Sequence, residues 1–314
     1  MRRHRIRRRR ALALAILPAT MISIGWGQAS PAVSQEDESA RQATVSAKPS
    51  VRFGDRAKLR GEFPDAPNSQ VAILHREAGE GSFRRVDSAR TGAGGSWSAR
   101  VKPRHTGDWR AELSAPVAPL EDEVTPDGTS NTERIRVRSI TKVAPAKRDV
   151  ISGNGTEIRG KVLPAGQRDV IVRIGNQTRR AHADRNGRFQ VKWEAPGTGN
   201  YRVRAQAKSN NDASGSKDSG GSITAYRWAE ASWYGPGLYG NRTACGQTLS
   251  PSTQGVAHKS LPCGTKLSIR HGSREVHVRV IDRGPYVGNR EFDLTSATKD
   301  DLGFSGTGRI LVDK

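Results

Sequence analysis

Apolar and polar residues alternate along many short segments of this chain. Residues 109–113 read Trp-Arg-Ala-Glu-Leu, and residues 201–205 read Tyr-Arg-Val-Arg-Ala. A period of two predicts β-strands with one buried face. Turn sequences such as Gly-Asn-Gly at 153–155 separate these segments. The pattern therefore predicts an all-β protein built from short strands.

The same segments occur twice. Gly-Ser-Trp at 95–97 returns as Gly-Arg-Phe at 187–189, and Thr-Gly-Asp-Trp-Arg at 106–110 returns as Thr-Gly-Asn-Tyr-Arg at 198–202. A repeat of about 90 residues indicates two copies of one module.

We predict two immunoglobulin-like β-sandwich repeats, one over residues 43–138 and one over residues 139–227. The Ser/Gly-rich stretch 209–221 is expected to be a mobile loop inside the second copy.

The N-terminus carries a targeting pattern. Residues 1–10 contain seven arginines, residues 11–26 are apolar, and small residues follow up to position 32. This order is typical of a secretory signal peptide, although an uncleaved anchor helix is the alternative. We predict a signal peptide over 1–32, a disordered lead-in over 33–42, and secretion to the cell wall.

No other apolar stretch is long enough to span a membrane, so we expect no transmembrane domain after cleavage. Because no cysteine lies near the cleavage site, we do not expect a lipoprotein.

The formal net charge of +21 requires an anionic partner or a solvated surface. A basic surface can bind nucleic acid, but no helix-turn-helix, zinc-finger or RNA-binding signature is present. Outside the cell, an anionic wall polymer is the expected partner, bound by long-range, salt-sensitive attraction. We therefore expect no nucleic-acid partner.

Candidate chemistry is concentrated in residues 231–314. Five motifs follow one another there: Ala-Ser-Trp-Tyr-Gly at 231–235, Arg-Thr-Ala-Cys-Gly at 242–246, Ala-His-Lys-Ser-Leu-Pro-Cys-Gly at 257–264, Asp-Arg-Gly-Pro-Tyr at 282–286 and Phe-Asp-Leu-Thr at 292–295. In this order and spacing, they resemble the RlpA (rare lipoprotein A) family. The resemblance implies a six-stranded double-psi β-barrel over residues 228–314. It also implies lytic transglycosylation of peptidoglycan, which breaks the MurNAc–GlcNAc bond and leaves 1,6-anhydro ends.

Two carboxylates carry the predicted chemistry. The runs 266–269 and 276–281 predict a hairpin that delivers Asp282 to a strand end, while Asp293 belongs to a different element. Two converging carboxylates suit acid-catalysed cleavage of a glycosidic bond. The resemblance implies that Asp282 acts as acid and then as base, with Asp293 and His258 as further catalytic residues. Purely structural roles remain open for all three.

Several neighbours are candidates for substrate binding. Aromatic faces suit sugar rings, and a guanidinium can hold a carboxylate or a hydroxyl. Where the RlpA family has a glutamate, this chain has Gln247, and the side-chain amide of a glutamine cannot donate or accept a proton as a carboxyl group does. The predicted substrate-binding residues are Trp233, Tyr234, Gln247, Arg283 and Tyr286, with barrel packing as the alternative for the aromatic ones.

Cys245 and Cys263 are the two cysteines of the chain, and an exported protein lies in an oxidising compartment. We therefore predict a disulfide between them. His271 and His277 lack a third ligand, so we predict no metal site, and no cofactor motif is present.

Three functions remain open. The first is a secreted transglycosylase acting on peptidoglycan glycan strands. The second is a non-catalytic, expansin-like module that binds glycan and loosens the wall, which the amide at Gln247 keeps open. The third is a structural wall protein with a relict barrel.

Overall fold

The computed structural model describes residues 42–114 and 128–314. The predicted signal peptide and the lead-in up to residue 41 lie outside the described residues. Within the described ranges, no helix is long and apolar enough to cross a membrane.

The first sandwich places two sheets face to face. Its strands are β1 (Ser50–Arg52), β2 (Ala57–Glu62), β3 (Gln70–Glu77), β4 (Arg84–Arg90), β5 (Ser96–Val101), β6 (Gly107–Leu113) and β7 (Glu133–Arg138). One sheet has the order β1-β7-β6-β3-β4, and β2 pairs with β5 in the other. Trp97, Trp109 and Ile135 are buried between the sheets, as the alternation predicts.

The second sandwich has the same plan. Its strands are β8 (Ile140–Pro145), β9 (Asp149–Ile151), β10 (Gly155–Leu163), β11 (Arg168–Ile174), β12 (Gln177–Ala183), β13 (Arg188–Glu194), β14 (Gly199–Ala207) and the first half of β15 (Ser216–Tyr234). The sheet β13-β10-β8 faces the sheet β12-β11-β14-β15. Strand β9 runs parallel to β15, just as β1 runs parallel to β7. The predicted all-β fold with two sandwich repeats is confirmed.

The expectation of a mobile loop over residues 209–221 is wrong for its second half. Strand β15 starts at Ser216, and Lys217 and Asp218 pair with β14. The Asp218 carboxylate also accepts a hydrogen bond from the Val143 amide at 2.8 Å. Gly220 is required by close packing, since a Cβ there would lie 2.8 Å from the Val143 carbonyl oxygen. Small residues here allow two backbones to approach each other.

The barrel begins on the second half of β15 and closes on itself. Its other strands are β16 (Val256–His258), β17 (Lys266–His271), β18 (Arg274–Asp282), β19 (Phe292–Thr295) and β20 (Gly308–Val312). The order β15-β19-β16-β18-β17-β20 returns to β15 through the β15–β20 pairing. The predicted six-stranded barrel and the β17–β18 hairpin are confirmed.

One short helix, α1 (Ser296–Leu302), follows β19. The Thr295 hydroxyl accepts a hydrogen bond from the Thr298 amide, and Gly303 ends the helix in the left-handed region at φ 60°. These are the predicted cap and stop signals.

Each of the three units has its own hydrophobic core. Strand β15 nevertheless passes without interruption from the second sandwich into the barrel, across the predicted boundary at residue 227. The division into units at 43–138, 139–227 and 228–314 stays a prediction.

Candidate active site

The two predicted catalytic carboxylates lie on either side of one short strand. Ala257 of β16 pairs with Asp282 of β18 and with Asp293 of β19. Directly paired residues present their side chains to the same face of a sheet, and neighbouring strands are about 4.8 Å apart. Val256 and Leu294 fill the core on the opposite face. Asp282 and Asp293 therefore share the outer face of the barrel, two strand spacings apart.

A β-bulge places Asp282 on this face. Val256 pairs with Val280, but Ala257 pairs with Asp282, so Ile281 is skipped in the register. Bulges near active sites re-aim side chains in this way. Without the bulge, Ile281 would face outward and Asp282 would face the core. Instead Ile281 is 2% exposed, against Gly255, where a Cβ would lie 2.6 Å from the Ile281 side chain.

Asp293 is half-buried and has a polar partner. Its Oδ1 accepts a hydrogen bond from the Ser232 hydroxyl at 2.7 Å. Burial raises the pKa of Asp293 above that of an ordinary aspartate, and the charge of Asp282 adds to this rise. The hydrogen bond from Ser232 and the charge of Arg290 act in the opposite direction. Asp293 therefore keeps its proton to a higher pH than a solvated aspartate.

Asp282 is held by the backbone. Its Oδ1 accepts hydrogen bonds from the Ala244 amide and from the Arg283 amide, both at 2.8 Å. Its Oδ2 accepts no hydrogen bond from any residue in the described ranges. The carboxylate is thus oriented through one oxygen, and the Tyr234 hydroxyl lies close to it.

Tyr234 completes the group. It lies two residues after Ser232 in β15 and therefore on the same face of the sheet. Its hydroxyl is buried and has no hydrogen-bond partner among the described residues. Burial, followed by the nearby charge of Asp282, raises the pKa of Tyr234. The site is therefore built from two acids and one neutral phenol.

The other predicted aromatic residues lie in different environments. Tyr286 is 77% exposed on the loop after β18 and offers an open face to a ligand. Trp233 packs against the barrel core, with the Lys299 ammonium 4.7 Å from its ring centre. Tyr286 is therefore accessible to a ligand, whereas Trp233 makes a packing contact, and a sugar-binding role for either residue stays a prediction.

Arg283 supports the neighbouring loop. Its guanidinium donates hydrogen bonds to the carbonyl oxygens of His258 at 3.1 Å and Leu261 at 2.9 Å. It also lies 3.4 Å from the Cys263 sulfur. These contacts fix the 258–263 backbone. They also occupy guanidinium donors of Arg283 that the sequence predicts to bind the substrate.

The predicted disulfide between Cys245 and Cys263 is present, with the two Cα atoms 5.7 Å apart. Cys245 follows Ala244, whose amide donates to Asp282. The Cys245 amide donates to the carbonyl oxygen of Ile281 at 3.3 Å. The disulfide therefore ties down the loop that orients one of the two acids.

Gln247 ends the tight turn that follows this loop. Its amide donates to the Thr243 hydroxyl at 3.2 Å, and its carbonyl oxygen accepts from the Thr243 amide at 2.7 Å. Its side chain is exposed and makes no hydrogen bond to a described residue. The amide is therefore accessible to a ligand.

The structure does not place His258 with the two acids. In β16 it follows Ala257, so its ring faces the other side of the sheet and packs on Phe292 with ring centres 4.8 Å apart. Its Nδ1 accepts hydrogen bonds from the amides of Ser260 and Leu261. The proton is therefore on Nε2, which lies 3.5 Å from Glu291.

Glu291 and Arg227 are charged neighbours of His258 that no sequence motif identifies. Arg227 donates to Glu291 through both terminal nitrogens, one of them at 2.8 Å. This pairing lowers the pKa of Glu291. No motif marks the pair, because the two residues are far apart in the chain and meet through the β15–β19 pairing. Glu291 directly precedes the Phe-Asp-Leu-Thr motif, which is its one signal in the sequence.

No group of three or more His, Cys, Asp or Glu side chains suited to a metal ion occurs within 42–114 and 128–314. His277 lies 2.9 Å from the Ser268 hydroxyl, and His271 lies 3.3 Å from the Leu302 carbonyl oxygen. Both histidines therefore have ordinary protein partners.

Comparison with known proteins separates the barrel from the rest of the chain. Residues 228–313 match the family described as lytic transglycolase, which has a double-psi β-barrel. A probable endolytic peptidoglycan transglycosylase RlpA from Synechocystis is 36% identical over 100 residues, covering 31% of this chain and 31% of that protein. The endolytic peptidoglycan transglycosylase RlpA of Campylobacter jejuni is 42% identical over 87 residues, covering 26% and 32%.

Among solved structures, the D0-D1 domain of intimin overlaps 58% of this chain and 98% of its own, at 16% identity and a TM-score of 0.23. A TM-score this low does not establish a common fold. The chain spans about a third of the length of the two RlpA proteins that it matches. The C-terminal barrel is therefore similar to the double-psi β-barrel of the lytic transglycolase family.

Proposed function

We propose that this protein is a secreted peptidoglycan lytic transglycosylase that acts on peptide-poor glycan strands in cell-wall remodelling. The observation that carries the proposal is the pair Asp282 and Asp293 on one face of an RlpA-like barrel, with the pKa of Asp293 raised by burial. Two carboxyl groups in different environments can divide acid and base work between them.

The reaction requires one proton donor and one proton acceptor. The acid protonates the glycosidic oxygen between MurNAc and GlcNAc, and the bond from that oxygen to C1 of MurNAc breaks. The C6 hydroxyl of the same MurNAc bonds to C1 and gives its proton to the base. No water is consumed, and the product ends in a 1,6-anhydro ring.

The two environments favour Asp293 as the acid and Asp282 as the base. Asp293 is the half-buried acid with the raised pKa, whereas the Asp282 carboxylate is held by backbone amides through one oxygen. This division differs from the sequence-based expectation, in which Asp282 takes both steps. The neutral Tyr234 hydroxyl can donate a hydrogen bond to either carboxylate or to the sugar.

His258, Arg283 and the disulfide are assigned supporting roles in this proposal. Their contacts fix the 258–263 backbone and the loop from which the Ala244 amide donates to Asp282. Gln247 and Tyr286 are proposed to contact the glycan directly.

The decisive experiment is incubation of the purified protein with peptide-free glycan strands, followed by mass spectrometry of the products. We expect 1,6-anhydromuramyl ends. Reducing ends would identify a hydrolase instead, and no new ends would remove the enzymatic function.

An expansin-like binding module is the second candidate, and Gln247 is the observation that favours it. An exposed amide stands where the family has a glutamate, so one proton-transferring group is missing. If the protein sediments with insoluble peptidoglycan but produces no new ends, this second function stands.

The proposed substrate lies outside the cytoplasmic membrane, so the proposal also requires export. Signal cleavage within the first 32 residues is the proposed route. N-terminal sequencing of the protein recovered from the wall tests it, and a retained Met1 would contradict it.

A further inference from the structure

The positive charge of this protein is concentrated in the second sandwich. Residues 139–227 contain 17 lysines and arginines against 7 aspartates and glutamates. The corresponding numbers are 16 and 13 for residues 43–138, and 11 and 8 for residues 228–314. A general compositional bias toward arginine would charge all three units alike, so this excess needs its own explanation.

The outer face of the sheet β13-β10-β8 carries a row of cations. Lys161 of β10 pairs directly with Lys142 of β8 on one side and with Arg188 of β13 on the other. All three side chains are exposed. Since strands are about 4.8 Å apart, three positive charges lie across roughly 10 Å of sheet. They line a shallow cleft of about 800 Å³.

This arrangement is unfavourable for the isolated protein. Like charges directly opposite each other destabilise a sheet. Lys142, Lys161 and Arg188 form no ion pair with any residue that the structure describes. Asp184, at the end of the cleft, accepts hydrogen bonds from the Asn186 and Arg188 backbone amides. Three like charges that no carboxylate in the described ranges neutralises point to an anionic ligand as the missing partner.

We propose that this cationic row is a binding site for a linear, base-free phosphodiester polymer. Its ligand supplies the negative charges that the sheet lacks. The site lies on a different unit from the candidate active site, and the proposal does not depend on cleavage by the barrel.

The cation types favour phosphate over carboxylate. Two of the three row members are lysines, whose ammonium groups act as point charges toward phosphate oxygens. Arg188 supplies a single guanidinium fork, which fits phosphate as well as carboxylate, so the two lysines set the preference. In the neighbouring Arg159, Nε and one terminal nitrogen already donate to Glu157, at 2.9 and 2.7 Å.

The absence of exposed Phe, Tyr and Trp rings from this cleft disfavours nucleic acid. Proteins that bind single strands stack the bases on exposed aromatic rings. Of the aromatic residues that line the cleft, Phe189 is 4% exposed, and the exposed His182 ring lies 3.2 Å from the Asp169 carboxylate. The large hydrophobic residues that are exposed in the described ranges all lie outside residues 139–227.

The test compares two triple variants of the full-length protein. The site variant is K142Q/K161Q/R188Q. The control variant K48Q/R85Q/K102Q removes the same charge from exposed positions of the first sandwich that are not paired with another cation. Binding to polyglycerol phosphate is measured by fluorescence anisotropy over a range of salt concentrations.

We expect the site variant to bind about 10- to 100-fold more weakly at 0.1 M salt. The slope of the logarithm of the binding constant against the logarithm of the salt concentration should become shallower by about 2, because three phosphate contacts are lost and each contributes about 0.7. The control variant should lose less than about threefold, as long-range attraction alone predicts at that ionic strength. Thermal unfolding of the site variant should be unchanged or occur at a higher temperature, because the repulsion is removed.

Three results would overturn the proposal. Equal losses in both variants would show a response to net charge alone. Tighter binding of polygalacturonate, or of a single-stranded oligonucleotide, through the same three residues would assign the row to a different polymer. A clear drop in thermal stability of the site variant would make the row a structural feature.

Discussion

Asp282 and Asp293 are the same type of residue on the same face of the barrel, yet they have different neighbours. Backbone amides hold one oxygen of Asp282, whereas Asp293 has a single hydroxyl partner and a pKa raised by burial. The sequence predicts both acids, because each lies in a motif. It does not predict their environments, since Ser232 and Ala244 reach them only through the folded sheet.

Replacing either acid by asparagine tests the proposed chemistry. Asp293→Asn and Asp282→Asn keep the shape while removing the titrating proton, so each should lower the rate of anhydro-end formation by ~10²–10⁴-fold. Co-sedimentation with peptidoglycan should change little. An Asp293→Asn variant that cleaves like the parent would return the acid role to Asp282, as the family resemblance implies.

Ser232→Ala tests which acid holds the proton. The Ser232 hydrogen bond lowers the pKa of Asp293, so its removal should raise that pKa further. If Asp293 must be protonated to act, the alkaline limb of the kcat/KM profile should move to higher pH. An alkaline limb that does not move would show that it reflects the titration of a group other than Asp293. As a control, Ser232→Thr keeps the hydroxyl and should retain the parent profile.

Gln247→Glu tests the amide that stands in place of the family's glutamate. Because the side chain is exposed, the change should not disturb packing. We expect faster cleavage of peptide-free strands, or cleavage where the parent has none. The measurement is the yield of anhydro ends at equal protein concentration, and identical yields would exclude this position from proton transfer.

At the scale of elements, alternation and cap signals predict the hairpin, the short helix and the repeated strands. They fail over residues 216–221, where Ser and Gly resemble a loop but form the start of β15. The Ser and Gly content of a segment indicates only its intrinsic preference for loops. Here the segment forms a strand because it pairs with β14 and its backbone packs closely against Val143. The bulge at Ile281 is also not predicted from the sequence. It is defined by the pairing register between β18 and β16, two strands that are separated in the chain.

The disulfide belongs to this scale because it joins two loops beside the site. Cys245→Ser/Cys263→Ser should lower the free energy of unfolding by about 3 kcal/mol, as the chain-entropy model gives for a loop of similar length. Urea unfolding of the oxidised parent and the double variant measures this loss. The rate of cleavage should fall as well, since Ala244 loses its anchor, and an unchanged rate would show that the loop holds Asp282 without the bond.

At the scale of the whole molecule, the internal repeat predicts two sandwiches, and the five motifs predict the barrel. The connection between them is not predicted, because strand β15 carries no turn signal at residue 227 and alternation alone does not say which sheets a strand joins. Two side-chain contacts reinforce the continuous strand. Asp149 of the second sandwich pairs with Arg270 of the barrel, and the Tyr226 hydroxyl donates to Glu275 at 2.7 Å.

These contacts predict that the second sandwich and the barrel open together. Tyr226 is 1% exposed at their junction, so separating them would expose a large aromatic ring and two charged partners. In hydrogen exchange, amides of β15 on either side of Arg227 should show the same opening free energy. The variant Y226F/R270Q should separate the two values. A control, Y201F/R159Q, removes a tyrosine hydrogen bond and an ion pair inside the second sandwich and should leave the two values equal. Unequal values in the parent protein would instead make residue 227 a true domain boundary.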